Sequence, residues 1–344
     1  MKIFENISLK KYNSFQLKVK AKKLIEIESA EDLKLINSEV YEDNYLVLGE
    51  GTNTLFCGDY LGTILVNKIL DETIHEDLNF YYVSFGAGVN WDYAVRFCLS
   101  KGIKGLENLA LIPGVCGAAP IQNIGAYGIE FKDFCECVDY FDVEEQKLQR
   151  IYKSDCEFGY RDSIFKRSLK NAIITKVHLK IPKEWKPSIN YNGLNTLGNN
   201  VTANEIYTKV VEIRKLKLPN YHVLGNGGSF FKNPVITRKR LANLQSLNVN
   251  IPFYDVDEFY VKIPAAWLIE HSNANKLSVG GACVYEKHAL IIINKSNANW
   301  FDIFQLARDI KEKVEVFYNI SLENEVRFIT TKGEIDLNNE NVQF

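Results

Sequence analysis

The sequence predicts a protein that combines helices and strands. Apolar runs over residues 45–48 and 81–85, rich in Val, Tyr and Phe, each lead into a Gly-rich loop, as strands do. A helix is predicted from Thr202, which forms a capping box with Glu205 ahead of apolar residues at helical spacing. Beyond residue 237, helical and strand patterns alternate. The 344 residues suffice for two or three domains.

The composition is that of a soluble protein without a nucleic-acid partner. Its 41 Lys and Arg residues nearly balance 43 Asp and Glu residues, so the net charge of −2 gives no basic surface for nucleic acid. Residues 1–6 lack the basic and apolar regions of a signal peptide, and no segment approaches the roughly 18 apolar residues of a membrane span. We therefore expect a cytoplasmic protein with no membrane partner.

The seven cysteines predict neither a disulfide framework nor a metal site. Their number is odd and their spacing is irregular. Cys135 and Cys137 form the only close pair, and no nearby Cys or His completes a tetrahedral ligand set. We expect no bound metal.

The first Gly-rich loop follows the strand predicted over residues 45–48, and the apolar Leu55 and Phe56 resume after it. Such a loop can bind phosphate through its backbone amides, and Thr52 and Asn53 add side-chain donors. It is not the dinucleotide fingerprint G-x-G-x-x-G, because the third Gly is missing. The alternative interpretation is a plain hairpin bend.

Two further loops have a similar composition. Gly86 and Gly88 lie between the strand over residues 81–85 and a helix that ends near Gly102. Residues 105–128 are dominated by small residues, prolines and uncharged donors, and they carry more Ile and Leu than a disordered linker would. This favours a well-packed loop that lies against a flat ligand, and a simple structural loop is the alternative.

Cationic residues mark the middle of the chain. Arg161 lies between Tyr160 and Asp162, where both a salt-bridged surface residue and a site residue are possible. A half-buried strand is predicted over residues 171–181. The helix from Thr202 ends with Arg214, Lys215 and Lys217, which suit the helix dipole but could also face an anionic substrate.

The most informative segment covers residues 225–234, with the sequence GNGGSFFKNP. Its glycines allow positive φ, which predicts a bend where a ligand or another backbone comes close, with Ser229 displayed at its end. An ordinary loop is the alternative. Helices are then predicted over residues 238–247, 265–271 and 300–317, and strands over residues 289–294 and 322–329. The last strand would carry Glu323 and Glu325 on one face.

Six of these segments together resemble the UDP-N-acetylenolpyruvoylglucosamine reductase family, which is also called MurB. They occur in the family's order over nearly the whole chain, at residues 48–53, 86–91, 105–128, 159–163, 225–234 and 322–328. The loop around Tyr191 resembles the longer of the family's two types. Thr52 stands where the family usually has Ser and keeps the hydroxyl, whereas Val115 stands where it usually has Thr and loses one. Asn324 replaces a usual Pro.

The resemblance implies an α+β fold, with two lobes of the vanillyl-alcohol-oxidase (PCMH) type around FAD and a third, substrate-binding α+β domain. We expect the first lobe over residues 1–70, the second over 71–200 and the substrate domain over 201–319. The C-terminal strand over 320–344 would carry the catalytic Glu. The implied reaction is NADPH-dependent reduction of UDP-N-acetylglucosamine enolpyruvate to UDP-N-acetylmuramate for peptidoglycan, by a monomer with non-covalent FAD.

The resemblance also implies the site residues. Arg161 and Glu325 would stabilise negative charge beside the substrate carboxylate, with Glu325 acting as a protonated donor or orienting Arg161 or water, and Ser229 would give a proton to carbon. Substrate contacts are implied for Tyr160, Tyr191, Lys217 and Asn233. FAD contacts are implied for Gly49, Gly51, Thr52, Asn53, Gly86, Gly88, Pro113, Gly114, Gly117, Ala118, Gln122, Asn123, Gly125, Ala126 and Tyr127.

Two other functions are compatible with a flavin fold. A flavin oxidase would often tether FAD through a His near the Gly-rich loops, but the first His here is His75, in a polar segment. A non-enzymatic flavin-binding protein would be expected to have lost catalytic residues. Arg161, Ser229 and Glu325 are all present, which favours the reductase.

Overall fold

Two units, each with its own sheets, make up the chain in the computed structural model, which describes residues 1–36, 38–42, 44–191, 193–198, 200–246 and 250–335. Unit 1 comprises Met1–Asn6, Lys22–Glu50 and Gly62–Leu216. Unit 2 comprises Ile7–Ala21, Gly51–Leu61 and the described residues from Lys217 onward.

The strands, in chain order, are β1 Lys2–Ser8, β2 Lys20–Ile27, β3 Tyr45–Leu48, β4 Thr54–Phe56, β5 Tyr60–Asn67, β6 Glu72–Glu76, β7 Phe80–Gly86, β8 Gly125–Ala126, β9 Ile129–Glu130, β10 Cys135–Asp142, β11 Lys147–Tyr152, β12 Ile173–Pro182, β13 Gly225–Ser229, β14 Val235–Thr237, β15 Tyr254–Asp255, β16 Tyr260–Lys262, β17 Ser278–Val279, β18 Ala282–Val284, β19 Ile291–Asn294, β20 Arg327–Thr330 and β21 Gly333–Ile335. The helices are α1 Asp32–Leu35, α2 Ser38–Glu42, α3 Trp91–Ser100, α4 Ala203–Lys217, α5 Arg238–Gln245, α6 Ala265–His271 and α7 Trp300–Tyr318.

The main sheet of unit 1 is antiparallel, in the order β11-β10-β12-β7-β6. A second sheet has the order β1-β2-β5-β3 and pairs β3 with β5 in parallel. Strand β3 therefore does not form a hairpin with the segment that follows it, and the hairpin alternative for the first Gly-rich loop is wrong. Parallel pairing requires a longer connection than a tight turn provides.

The core of unit 1 lies between the main sheet and helix α3. Trp91 is almost fully buried, donates from Nε1 to the carbonyl oxygen of Leu109 at 3.0 Å, and contacts Phe131 edge-on at 6.0 Å between ring centroids. Ala94 and Val95 face the same core. Because Leu109 belongs to the third Gly-rich loop, the same packing that buries α3 also holds that loop.

Unit 2 contains the sheets β13-β19-β18-β17, β14-β16-β15 and β21-β20-β4. A chain of four aromatic rings joins four of its segments, with centroids of Phe15 and Phe230 6.3 Å apart, Phe230 and Phe328 5.9 Å apart, and Phe328 and Phe304 6.1 Å apart. Phe230 is fully buried and directly follows Ser229. The position of Ser229 is therefore fixed by the core.

Most predicted elements are confirmed, with small differences at their ends. Helix α6 matches the prediction, and α7 and β12 begin or end within two residues of it. Helix α5 ends at Gln245, and the predicted end at Leu247 lies outside the described residues. The capping box before α4 is confirmed, because Thr202 N donates to Glu205 Oε2 at 2.8 Å and Glu205 N donates to Thr202 Oγ1 at 3.2 Å.

The strand predicted over residues 322–329 is present as β20, with a later start. It begins at Arg327, so Glu325 precedes the strand and does not lie in it. The reason is a change of partner, since β20 pairs with β4 while Glu325 N donates to the carbonyl oxygen of Phe230 at 2.8 Å and Lys232 N donates to that of Glu323 at 2.9 Å.

A row of polar side chains crosses four adjacent strands of the main sheet in unit 1. Ser84 Oγ lies 2.7 Å from His178 Nδ1, and His178 Nε2 lies 2.9 Å from Asp139 Oδ2. Arg150 donates to both oxygens of Asp139, at 2.6 and 2.9 Å. Burial alone would raise the pKa of Asp139, but its hydrogen bonds to Arg150 and His178 outweigh this and hold the pKa well below its usual range.

We predict that Asp139→Asn lowers the free energy of unfolding by about 1–3 kcal/mol at pH 7, because the charged hydrogen bonds to Arg150 are lost. A carboxylate whose pKa is depressed by folding stabilises the protein above its unfolded pKa of about 3.9, and this contribution is lost as pH falls below that value. The difference between variant and parent in urea unfolding should therefore narrow in acid. Glu136→Gln, at a partly exposed pair with Lys180 whose charged atoms are 4.0 Å apart, is the control. If the free energies of unfolding of Asp139→Asn and the parent differed by the same amount at every pH, the stabilising role of the ionised Asp139 carboxylate would be contradicted.

Candidate active site

Glycines of the predicted cofactor loops lie where chain segments approach one another closely. A Cβ at Gly49 would lie 2.7 Å from Cγ2 of Val115, and one at Gly88 would lie 2.7 Å from Cα of Lys68. Real Cβ atoms essentially never come within 3.0 Å of a heavy atom from another part of the chain. A side chain at either position would therefore force the neighbouring atoms to move. The same is true of Gly51 against the carbonyl of Tyr12, Gly86 against the carbonyl of Ile69 and Gly117 against the Cβ of Ala87.

The loop over residues 105–128 is tightly packed, as predicted. Glu107 is almost fully buried, and its two oxygens accept hydrogen bonds from Gly105 N and Trp185 Nε1, each at 2.6 Å. Asn123 is also buried, and its amide donates to Glu130 Oε2 at 2.9 Å and to the carbonyl oxygen of Gly159 at 3.0 Å. The Asn123 side chain thus ties this loop to the segments that carry Glu130 and Gly159.

The predicted cofactor residues divide by exposure. Those that are at least partly exposed are Gly49, Thr52, Asn53, Pro113, Ala118, Gln122, Gly125, Ala126 and Tyr127. Those that are buried are Gly51, Gly86, Gly88, Gly114, Gly117 and Asn123. The first group has side chains or backbone at the surface, and the second shapes the loops from within.

A carboxylate that the sequence interpretation did not single out joins these loops in unit 1. Glu50 accepts a hydrogen bond from Asn90 Nδ2 at 2.8 Å through Oε1 and one from Gly114 N at 3.1 Å through Oε2. Asn90 in turn caps helix α3, because its Oδ1 accepts from Tyr93 N at 3.0 Å. The signal in the sequence is a single charged residue between two glycines, in a loop expected to bind an anion.

Arg161 occupies a tight turn in unit 1. Gly159 N donates to the carbonyl oxygen of Asp162 at 2.9 Å, and Arg161 has a left-handed φ of 54°. Its Nη2 donates to the carbonyl oxygen of Gly125 at 3.0 Å, and its guanidinium lies 5.6 Å from the centre of the Tyr160 ring. Left-handed backbone is uncommon for residues other than Gly and tends to occur at functional sites.

Two buried polar atoms in unit 1 require a partner that the described residues do not supply. They are Oδ1 of Asn108, whose amide donates to the carbonyl oxygen of Tyr127 at 2.9 Å, and Nε of Arg214. Burial is the largest influence on the pKa of Arg214 and lowers it. Nearby Tyr127 raises this pKa and nearby Arg161 lowers it, so the side chains of Arg214, Tyr127 and Arg161 lie within electrostatic range of one another. Buried groups of this kind are normally satisfied by water or by a ligand.

Ser229 is aimed by a β-bulge in unit 2. Strand β13 pairs Asn226 with Ile293 but Ser229 with Ile291, so one extra residue lies on the β13 side. Gly228 takes this position with φ of 73°, and its N donates to Asn226 Oδ1 at 3.0 Å. The segment is therefore a bulged strand and not the open bend that was predicted, because residues distant in sequence pair with it.

The same glycine turn confirms the predicted close approach of another backbone. A Cβ at Gly225 would lie 2.5 Å from the carbonyl oxygen of Phe15, and one at Gly227 would lie 2.7 Å from the Phe15 ring. A Cβ at Gly228 would meet nothing within 4 Å. The first two glycines admit the neighbouring segment, and the third permits the bulge.

The structure brings Ser229 and Glu325 to neighbouring segments of unit 2. Glu325 N donates to the carbonyl oxygen of Phe230 at 2.8 Å, and Asn53 Nδ2 donates to the carbonyl oxygen of Glu325 at 3.0 Å. Both residues are half-buried. Arg161 belongs to unit 1.

The predicted substrate residues are at the surface or half-buried. Lys217 is the exposed last residue of α4, and Tyr191 contacts the Tyr127 ring edge-on at 5.2 Å. Asn233 accepts a hydrogen bond from Ala265 N at 2.9 Å through Oδ1 and so fixes the start of α6. Tyr160 lies under the Arg161 guanidinium.

Neither a metal cluster nor a membrane helix is found in the part of the chain that the structure describes. No group of three or more His, Cys, Asp or Glu side chains there could hold a metal ion. Within the same residues, no helix combines the length and the apolar character that crossing a membrane takes. All seven cysteines are free thiols.

Comparison with known proteins shows extensive similarity. The family of the UDP-N-acetylenolpyruvoylglucosamine reductase C-terminal domain matches residues 219–329, and the FAD-binding domain family matches residues 21–146. The chain is 42% identical over 347 aligned residues to UDP-N-acetylenolpyruvoylglucosamine reductase of Vibrio vulnificus (strain CMCP6), with 100% of both chains covered. It is 43% identical over 336 residues to that of Pectobacterium atrosepticum, covering 96% of this chain and 97% of the relative.

A solved structure shows the same fold. UDP-N-acetylenolpyruvylglucosamine reductase from Thermus caldophilus superposes with a TM-score of 0.68 at 24% identity, covering 95% of this chain and 99% of that one. Together with the FAD-binding domain match, this confirms the predicted α+β class and its FAD-binding fold of the vanillyl-alcohol-oxidase type.

We predict different costs for alanine at two neighbouring glycines of the bulge. Gly228→Ala should lower the free energy of unfolding by about 1–2 kcal/mol, because only the left-handed backbone is penalised. Gly227→Ala should cost more, since its Cβ would collide with the Phe15 ring, although its φ is not left-handed. Urea unfolding of both variants is the measurement. Equal costs, or a larger cost at Gly228, would show that the bulge is not held in this conformation.

Proposed function

Because the chain belongs to the UDP-N-acetylenolpyruvoylglucosamine reductase family, we propose that Arg161, Ser229 and Glu325 carry out that family's reaction in it. The protein is an FAD-dependent oxidoreductase that reduces UDP-N-acetylglucosamine enolpyruvate to UDP-N-acetylmuramate in peptidoglycan precursor synthesis, with NADPH as hydride donor. The observation that supports the residue assignment best is the bulge that aims Ser229 beside the segment of Glu325.

The residues present fit FAD. The candidate loops offer uncharged donors, and Asn108 Oδ1 and Arg214 Nε need polar partners of the kind that a flavin nucleotide carries. When bound there, FAD would supply the chemistry of hydride transfer from NADPH to the terminal CH₂ carbon of the enolpyruvyl group. The residues proposed to hold it are Gly49, Gly51, Thr52, Asn53, Gly86, Gly88, Pro113, Gly114, Gly117, Ala118, Gln122, Asn123, Gly125, Ala126 and Tyr127.

Arg161 is proposed to stabilise the negative charge that develops beside the substrate carboxylate. A hydride added at the terminal carbon leaves an electron pair on the carbon α to the carboxylate, and a fixed cation lowers the energy of that charge. The guanidinium is held by Gly125 and by the Tyr160 ring, so it does not have to reorganise during the reaction. Arg214, within electrostatic range of it, adds positive charge to the same region.

Ser229 is proposed to give its hydroxyl proton to the α carbon. A new C–H bond forms there, the O–H bond of Ser229 breaks, and the enol ether becomes a lactyl ether. A serine hydroxyl is a weak acid, but a carbanion is a strong enough base to take its proton. Ser229 is half-buried, and the fully buried Phe230 that follows it fixes its backbone.

Glu325 is proposed to act together with Arg161 and Ser229. It would either donate a hydrogen bond to the developing charge or orient Arg161 or water. Its backbone is fixed at both polar atoms, by Phe230 and by Asn53. Asn53 thus has a positioning role in addition to its place in the first Gly-rich loop.

The substrate's remaining groups are proposed to contact Tyr160, Tyr191, Lys217 and Asn233. Lys217 ends helix α4, where a cation suits an anionic diphosphate as well as the helix dipole. Tyr191 is 43% exposed and is available to cover a ligand. By function, residues 1–70 and 71–200 would serve as the FAD lobes, 201–319 as the substrate domain and 320–344 as the segment that returns to the flavin site. Of this last segment, residues 336–344 lie outside the described residues.

We further propose that the protein acts as a cytoplasmic monomer with no nucleic-acid or membrane partner. The near balance of charges supports the absence of a nucleic-acid or membrane partner, because it gives no general attraction to nucleic acid or to anionic lipid.

Ser229→Ala is expected to impair only the half-reaction that consumes the enolpyruvyl substrate. Reduction of the flavin by NADPH needs no proton delivered to carbon, so anaerobic bleaching should keep close to the parent rate. Recovery of the flavin absorbance on adding substrate should slow about 10²–10⁴-fold, the usual cost of losing a general acid. Stopped-flow absorbance measures each half-reaction, and Ser229→Cys should retain more activity than Ala. Parent-like recovery in Ser229→Ala would exclude the proton-donor role.

Lys217→Ala is expected to raise KM for the UDP-sugar about 10-fold or more, because a charge-assisted contact to phosphate contributes roughly 1.5–3 kcal/mol. Lys215→Ala, two residues earlier and also exposed, is the matched control and should leave KM unchanged. Steady-state kinetics and the flavin content of each variant are the measurements. Loss of FAD with unchanged KM would move Lys217 to the cofactor site.

A further inference from the structure

We propose that Glu50 is a positioning residue that holds the unit 1 end of the first Gly-rich loop against the second and third Gly-rich loops, at the spacing FAD requires. The inference rests on the proposed function because its readout is FAD. Its basis is geometric, since the two carboxylate oxygens of Glu50 bond to two different loops, at Asn90 and at Gly114.

The charge of Glu50 makes this arrangement informative. A carboxylate in a loop that binds a diphosphate adds like charge and by itself weakens binding of that anion. A Gly or Ser at this position would avoid the repulsion. The carboxylate must therefore contribute something that offsets it, and the structure provides two hydrogen bonds to an ionised acceptor, which are stronger than neutral ones.

Asn90 relays the position of Glu50 to a rigid element. Its Nδ2 donates to Glu50 while its Oδ1 caps α3 by accepting from Tyr93 N. The amide orientation is consequently fixed at both ends, and Asn90 cannot turn its oxygen toward Glu50 without releasing the helix cap.

Gly114 brings the third loop to the same carboxylate. It has a φ of 111°, its N donates to Glu50 and its carbonyl oxygen accepts from Trp91 N at 3.0 Å. Val115, the next residue, packs its methyl group against Gly49, where no Cβ would fit. The Glu50 bond and the Gly49 contact together fix the distance between the first and third loops.

Removing the carboxylate therefore has opposite expected effects under the two views of Glu50. If it positions the loops, Glu50→Ala should raise the dissociation constant for FAD about 10-fold to 100-fold. If it only repels the diphosphate, the same variant should bind FAD more tightly. Glu50→Gln keeps one acceptor and loses the other bond, so its dissociation constant should lie between those of the parent and Glu50→Ala.

A second variant isolates the Asn90 contact. Asn90→Ser keeps a hydroxyl that can cap α3 but has no amide to donate to Glu50. It should weaken FAD binding about as much as Glu50→Gln does. The double variant Glu50→Ala/Asn90→Ser should bind FAD only slightly more weakly than Glu50→Ala alone, because both changes remove the Glu50–Asn90 contact and Asn90→Ser removes in addition only the long Asn90 Nδ2 contact to the Gly114 carbonyl oxygen, at 3.4 Å. Glu184→Ala, at an exposed pair with Lys186, is the control.

The measurement is FAD release from the purified full-length holoenzyme, followed by flavin fluorescence on dilution, together with the visible flavin spectrum and the melting temperature. Weaker binding with a shifted flavin band in Glu50→Gln and Asn90→Ser supports the proposal even if Glu50→Ala fails to fold. Unchanged or tighter FAD binding in both would overturn it, whatever the melting temperature, while leaving the proposed reductase function intact. A parent protein that purifies without FAD would overturn both.

Discussion

Close approach of one backbone segment to another is the constraint on which the candidate site depends. In unit 1 the loops touch at Gly49, Gly88 and Gly117, where no side chain has room. In unit 2 the segment before Ser229 meets the backbone of Phe15 in the same way. Loops packed this tightly lose their freedom during folding rather than during ligand binding, which reduces the entropic cost of binding a large cofactor.

The sequence was most informative where structure is decided locally. Strand β3, helix α6 and the capping box of α4 follow from hydrophobic period and from capping residues a few positions apart. The glycine positions were also evident, and so was the low polarity of the third loop. The close approach of another backbone was correctly predicted for the glycines before Ser229, but the partners of the other loop glycines could not be predicted, because Lys68, Ala87 and Tyr12 are not marked by any local pattern.

The differences between the predicted and the observed elements arise from pairing between segments that are distant in sequence. The segment before Ser229 is a bulged strand because β19 pairs with it. Strand β20 begins several residues after the predicted start, because the backbone at Glu325 bonds to Phe230 and not to β4. Glu50 was overlooked for a related reason. Its two partners, Asn90 and Gly114, are far along the chain, and only the folded structure shows that a charge between two glycines is placed to join loops.

The bulge in β13 has a consequence that follows from the alternation of side chains along a strand. Successive residues point to opposite faces, so one inserted residue exchanges the faces of everything after it. The extra residue, Gly228, therefore reverses the face of the strand on which each later side chain lies. Strand β13 can thus keep its backbone hydrogen bonds to β19, while the side chains after the bulge, including that of Ser229, lie on the face opposite to the one that a regular strand would give them. A regular strand without the extra residue would place the hydroxyl and the Phe230 ring on exchanged faces, with the aromatic ring partly exposed and the hydroxyl in the core.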